Sequence, residues 1–143
     1  MFQAVLMEVQ RFANIVPFGI IHLCTRDVAV NGMTIPAGTF IQGLNAEILK
    51  GNYWNDGENF RPERFLGKDG KTVKEDCFIP FSMGRRKCLG ETLAKTEMFL
   101  FFTNLLQHYH FLPEVKGEIP SADFSPGLTI LPVPFKSRLV CRF

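Results

Sequence analysis

Apolar and polar positions divide the 143-residue chain into segments of different period. Met1 to Ala13 is apolar nearly all round a helical wheel and contains no Gly or Pro, which predicts a helix buried on several sides. No Ser, Thr, Asp or Asn precedes it as a start signal, so the pattern reads as a chain that begins inside a larger protein. Asn14 and Pro17 close this helix. From Phe18 to Gly43, short apolar runs are broken at Arg26-Asp27, Asn31-Gly32 and Pro36-Ala37-Gly38. Asn31-Gly32 between Val28-Ala29-Val30 and Met33-Thr34-Ile35 predicts a tight hairpin, because both turn residues tolerate positive φ. A short helix over Leu44 to Lys50 follows, then a polar, aperiodic meander from Gly51 to Asp76 and a glycine-bearing loop from Phe78 to Gly90. Leu89 to Gln107 carries a second long helical pattern, with Leu93, Phe99, Leu100, Phe102 and Leu106 among its apolar positions. His108 and His110 then alternate onto one face of an extended segment and read as structural. Beyond Pro113 the pattern is of short strands broken at Pro126-Gly127, Pro132 and Pro134. The mix is mainly α with small β-sheets, an α+β class.

Composition narrows the function. Hydrophobic residues make up 46% and charged residues 21%, which are the proportions of a folded globular chain. A net charge of +2 is too small for a partner held through phosphate contacts, so no nucleic acid is expected. No apolar run approaches the roughly 20 residues of a membrane helix, and no signal segment opens the chain. Phe is the unusual residue, at 15 against 2 Tyr and 1 Trp. So much ring surface calls for burial in a core or against a flat apolar ligand. Cys24, Cys77, Cys88 and Cys141 form no Cys-x-x-Cys pair, and with the three histidines they give no zinc spacing. A disulfide framework is not expected.

The chemistry concentrates in Phe81-Ser82-Met83-Gly84-Arg85-Arg86-Lys87-Cys88-Leu89-Gly90. Here a cysteine follows three cations where a loop meets the start of a helix, surroundings that favour the thiolate, the form that binds metals. Gly84 permits a backbone conformation closed to other residues, and Gly90 lets a bulky group approach the helix start. Phe81 offers a ring beside the sulfur, and Arg86 a cation for an anionic group on whatever the sulfur touches. The pattern Phe-x-x-Gly-x-Arg-x-Cys-x-Gly resembles the heme-binding loop of the cytochrome P-450 family, and Glu91, Leu93 and Ala94 continue the likeness. The resemblance implies that Cys88 is the axial thiolate ligand of the iron of heme b (iron protoporphyrin IX). It makes Arg86 a partner for a heme propionate, with Phe81, Gly84, Leu89 and Gly90 also in the heme-binding loop.

Other segments agree with this likeness in the right order. Glu8-Val9-Gln10-Arg11 places acid and base three residues apart on one helix face, where burial would require further partners. It resembles the Glu-x-x-Arg motif of the same family. The third member of that structural set would be Arg64, within Arg61-Pro62-Glu63-Arg64-Phe65, which resembles the family's meander motif. His22-Leu23-Cys24-Thr25-Arg26-Asp27 resembles a stretch of the animal microsomal branch in which the histidine contacts a heme propionate, which would be the role of His22. Ile15 and Val16, after the first helix, and Leu128 and Thr129, at the tip of a hairpin, correspond to two substrate-recognition segments of the family. Arg85, Lys87 and Lys95 would form a docking surface for an acidic electron donor.

The resemblance covers essentially all 143 residues, read as a single partial domain from the C-terminal part of the family's fold, with the N-terminal part absent. It implies a monooxygenase that inserts one atom of O2 into an apolar small molecule. Electrons would come from NADPH through a flavoprotein NADPH–cytochrome reductase, with cytochrome b5 as a further partner. The parent would reside at the endoplasmic-reticulum membrane through an N-terminal anchor. Some members of the family instead rearrange peroxides or dehydrate. A reading of a different kind makes these residues a catalytically silent truncated chain or a partial gene model. The 143 residues contain no Ala/Gly-Gly-x-Asp/Glu-Thr proton-delivery sequence, so the chain alone is expected to be silent. Apolar rings should lie exposed, and strands should lack neighbours.

Overall fold

A computed structural model describes residues 1–143. Helix α1 spans Phe2–Ala13 and stops where Asn14 turns left-handed at φ 42°, its N–H donating to the Gln10 carbonyl. Asn is among the few side chains that tolerate that region. Strand β1 (His22–Leu23) pairs antiparallel with β4 (Phe40–Ile41), and between them β2 (Val28–Val30) pairs with β3 (Met33–Ile35). The β2–β3 turn is Asn31-Gly32, both at positive φ (48° and 78°), as a two-residue hairpin requires. Helix α2 (Asn45–Lys50) leads into the meander, whose only regular pieces are 3₁₀ turns at Asn52–Trp54 and Pro62–Phe65. A third such turn, Gly84–Arg86, lies in the cysteine loop, and α3 follows at Glu91–His108. Strand β5 (Tyr109–Pro113) pairs along its whole length with β8 (Ser137–Cys141), and β6 (Phe124–Ser125) pairs with β7 (Leu131–Pro132). Every sheet is two-stranded and antiparallel, so every strand keeps an unpaired edge.

Two sequence expectations need correction. Helix α3 begins at Glu91, not Leu89, because the first helical bond runs from the Ala94 N–H to the Gly90 carbonyl (2.9 Å), which makes Gly90 the N-cap. His108 closes α3, its Nδ1 2.9 Å from the Asn104 carbonyl, whereas His110 lies in β5. The two histidines therefore share no extended face: the helix passes into the strand without a linker between them. Pro132 is the last residue of β7, opposite Phe124, and no strand follows until Ser137, so the expected break at Pro132 and Pro134 is present. A two-stranded sheet leaves an edge free, which a residue without an N–H can occupy.

The core is small. Ala4 of α1, Trp54 and Phe65 of the meander are buried together, with Met7, Leu66, Cys77 and Phe78 packed around them. Ring centroids lie 5.6 Å apart for Trp54–Phe65 and 4.9 Å for Phe65–Phe78, within the range of favourable edge-on pairs. Helix α3 meets α1 through Phe2, whose ring lies 5.8 Å from Phe99 and 5.1 Å from Phe102. Only 11 of 143 residues are buried, and no α3 residue is among them although that helix carries Leu93, Met98, Phe99, Leu100, Phe101, Phe102, Leu105 and Leu106. Phe101, Phe40 and Leu89 are exposed instead, as expected for rings without a partner surface.

Candidate heme-thiolate site and its supporting network

The largest side chains buried outright include two of opposite charge, Arg11 and Glu8. On α1 their spacing of three brings the guanidinium onto the carboxylate, with Arg11 Nε 2.8 Å from Glu8 Oε2 and Nη2 2.9 Å from Oε1. The remaining donors of Arg11 go to backbone carbonyls: Nη1 to Leu49 (2.7 Å) and Gly57 (2.8 Å), Nη2 to Asn59 (3.1 Å). Glu8 Oε1 also accepts from the Arg61 N–H (2.7 Å) and from Arg64 Nε (3.1 Å). Burial pushes the Glu8 carboxyl upward, but the hydrogen bonds from Arg11, the Arg61 amide and Arg64, with the Arg11 charge, outweigh it and hold it below its ordinary value.

Arg64 extends the network outward, donating to Asp56 Oδ1 (3.0 Å) and to the carbonyls of Trp54, Asp56 and Asn59. Hydrogen bonds from Arg61 and then Arg64 bring the Asp56 carboxyl down to about 2. The structure thus joins Glu8, Arg11 and Arg64 in a single buried cluster, and adds partners the sequence did not single out: Asp56, Arg61 and the carbonyls of Leu49, Gly57 and Asn59. Gly57 is required at its place. A Cβ there would collide with the Lys50 carbonyl, so a larger residue would push the meander off the helix and the Gly57 carbonyl away from Arg11.

The cysteine loop is built on backbone turns. Ser82 (φ 65°) and Gly84 (φ 78°) both take left-handed conformations, which fold Gly84–Arg86 into its turn and return the Cys88 N–H to the Phe81 carbonyl. Cys88, Leu89, Gly90 and Arg86 are exposed, and Phe81 is half-buried. Two cations of the loop region are engaged: Glu91 accepts from Lys95 at 2.6 Å and Lys87 at 3.4 Å. The Lys95 bond leads in holding the Glu91 carboxyl below its usual value. Lys95 Nζ also lies 5.7 Å from the centroid of the Phe81 ring, which ties α3 to the residue that receives the Cys88 amide. Arg85 and Arg86 take part in no ion pair. Of the expected docking cations, only Arg85 is therefore fully available.

His22 is exposed in β1, opposite Ile41. Ile15 and Val16 are exposed just beyond α1, and Leu128 and Thr129 are exposed in the loop between β6 and β7. The two segments meet: the Ile130 N–H donates to the Ile15 carbonyl at 2.8 Å.

Comparison with known proteins accords with this arrangement. The family model described as Cytochrome P450 matches residues 1–139. "Cytochrome P450 2D14" of Bos taurus is 46% identical over 140 residues, and "Cytochrome P450 2D16" of Cavia porcellus is 45% identical over 141. "Cytochrome P450 2D6" of Homo sapiens is 44% identical over 140 residues. Each alignment takes in 97% of this chain, which spans 28% of the length of each of these curated relatives. No helix is long and apolar enough to cross a membrane. With its buried Glu8–Arg11–Arg64 cluster, its cysteine loop ahead of α3 and a family match across nearly every residue, the chain belongs to the cytochrome P450 family.

Proposed function

We propose that these residues form the proximal, thiolate-bearing part of a heme monooxygenase that inserts one atom of O2 into an apolar organic substrate. The observation that carries this reading is the presentation of Cys88: an exposed thiol at the end of a loop whose backbone is fixed by two left-handed residues and the Phe81 carbonyl. The donor set fits heme. Cys88 is exposed and in no disulfide, so it is free to serve as the one axial thiolate that a heme iron takes from the protein. The surroundings fit as well, since Leu89 presents a fully exposed apolar side chain and Arg86 an unpaired guanidinium.

In this reading Cys88 holds the iron of heme b, Arg86 and His22 bind its propionates, and Phe81, Gly84, Leu89 and Gly90 shape the surface against the ring. Heme bound through a thiolate supplies electron density that favours cleavage of the O–O bond. Glu8, Arg11 and Arg64 touch neither heme nor substrate; they fix the meander and α1 beneath the loop. Ile15, Val16, Leu128 and Thr129 line the substrate side with apolar surface. Electrons reach the protein from NADPH through a flavoprotein reductase, with cytochrome b5 as a second donor, and Arg85 is the cation left free to dock these acidic donors. The protein containing this single partial domain resides at the endoplasmic-reticulum membrane.

The test is spectroscopic. The chain is loaded with heme, reduced and exposed to carbon monoxide. A thiolate-type red-shifted Soret band is expected from the wild type and from Cys77→Ala, and its loss from Cys88→Ala. A histidine-type band from the wild type would overturn the ligand assignment. In a full-length protein that contains these residues, transfer of label from isotope-labelled O2 into product, with reductase present, separates oxygen insertion from isomerisation or dehydration.

A further inference from the structure

We propose that Lys50 is a positioning residue that clamps the β6–β7 hairpin to the body of the protein and so spaces the two segments that line substrate. Lys50 is the last residue of α2, an end that favours a cation. It joins none of the ion pairs. Its ammonium lies instead between two rings, 4.9 Å from the centroid of Phe12 in α1 and 5.1 Å from that of Phe124 in β6. Both distances lie within the reach of a cation–π contact.

The hairpin needs such an anchor. Its ladder consists of Phe124↔Pro132 and Ser125↔Leu131, extended by the Val133 N–H donating to the Asp123 carbonyl at 3.1 Å. A two-stranded hairpin of this size does not hold itself in water. The bond from Ile130 to Ile15 fixes its far strand, and Lys50 fixes its near strand at Phe124.

The opposite end of α2 grips the other substrate segment. Asn45 Nδ2 donates to the Val16 carbonyl at 3.1 Å, and the Ala46 N–H donates to the Pro17 carbonyl at 2.9 Å. One six-residue helix therefore holds Val16 and Pro17 by its first turn and the hairpin by its last residue. Leu49, beside Lys50, gives its carbonyl to Arg11, which fixes α2 to the buried cluster. An uncharged side chain of similar length would keep the apolar stem but lose the attraction to both rings; Arg would keep it. The consequence for substrate rests on the proposed function, whereas the clamp does not.

Amide hydrogen exchange on the 143-residue chain tests it, read by NMR at Ile130 and Val133. Exchange at both is expected to accelerate about fivefold in Lys50→Met and in Phe124→Leu, the size of one such contact, and to return close to wild type in Lys50→Arg. The Lys50 Hε protons should show an upfield ring-current shift that shrinks in Phe124→Leu. Amides of α1 should not change in any of these variants. Unchanged exchange at Ile130 in Lys50→Met, equal acceleration throughout α1, or failure of Lys50→Arg to restore protection would each overturn the clamp. Because none of these readings uses heme, a failed carbon-monoxide spectrum would leave the clamp standing, and a failed clamp would leave the ligand assignment untouched.

Discussion

The backbone N–H of Arg61 donates to Oε1 of Glu8 at 2.7 Å, across 53 residues of sequence. That bond joins the meander to α1 through a main-chain group, so any residue type at position 61 except Pro could supply it. The side chain of Arg61 is turned outward to Asp56. What the cluster demands of the sequence is therefore a carboxylate at 8, guanidiniums at 11 and 64, and a backbone path that delivers carbonyls to Arg11.

Arg11→Met removes five hydrogen bonds and leaves the Glu8 carboxylate buried with fewer partners. A loss of about 3–5 kcal/mol is expected, as for other broken buried pairs. Arg11→Lys should recover less than half of it, since an ammonium cannot reach two carboxylate oxygens and three carbonyls from one position. Urea unfolding followed by Trp54 fluorescence measures both, and a change below about 1 kcal/mol in Arg11→Met would show that the cluster does not hold the fold.

Asp56 sets the acid limit of the outer half of the network. Its folded-state value, about 2, lies below the ordinary 3.8. The carboxylate thus contributes stability that is fully present above pH about 4 and is lost as pH falls toward 2. Asp56→Asn should lower the urea midpoint at pH 6 while flattening its decline between pH 4 and 2. An unchanged slope in that window would mean that Asp56 is not stabilised by Arg61 and Arg64.

Gly57→Ala tests close approach, since the added methyl meets the Lys50 carbonyl and the backbone must move. Overpacking of this kind costs about 1–3 kcal/mol. The displaced Gly57 carbonyl should also weaken its bond to Arg11, so Gly57→Ala and Arg11→Met should be less than additive when combined. Full additivity would separate the two effects.

Asn14 combines a left-handed φ of 42° with a buried amide whose Nδ2 and Oδ1 have no partner. Glycine keeps that backbone and removes both unpaired atoms, so Asn14→Gly should be at least as stable as wild type. Asn14→Val should lose about 1–3 kcal/mol to backbone strain. Equal stability of the two variants, measured by thermal unfolding, would show that neither the φ nor the amide matters.

Local signals in the chain settled the elements they act on. The apolar run to Ala13 and the left-handed stop at Asn14 define α1, Asn31-Gly32 defines its hairpin, and the residues of the cysteine loop identify it, because each depends on neighbours within a few positions. The spacing of Glu8 and Arg11 determined that they would meet, since one helical turn joins them. The start of α3 did not follow, because Leu89 and Gly90 carry no capping side chain, and only the Ala94 N–H bond to the Gly90 carbonyl marks where the helix begins. The carbonyls of Leu49, Gly57 and Asn59, the Arg61 amide and the rings around Lys50 were decided by tertiary structure alone. Main-chain groups are the same at every residue, and a cation–π contact between distant elements leaves no periodic trace, so no pattern of side chains announces them.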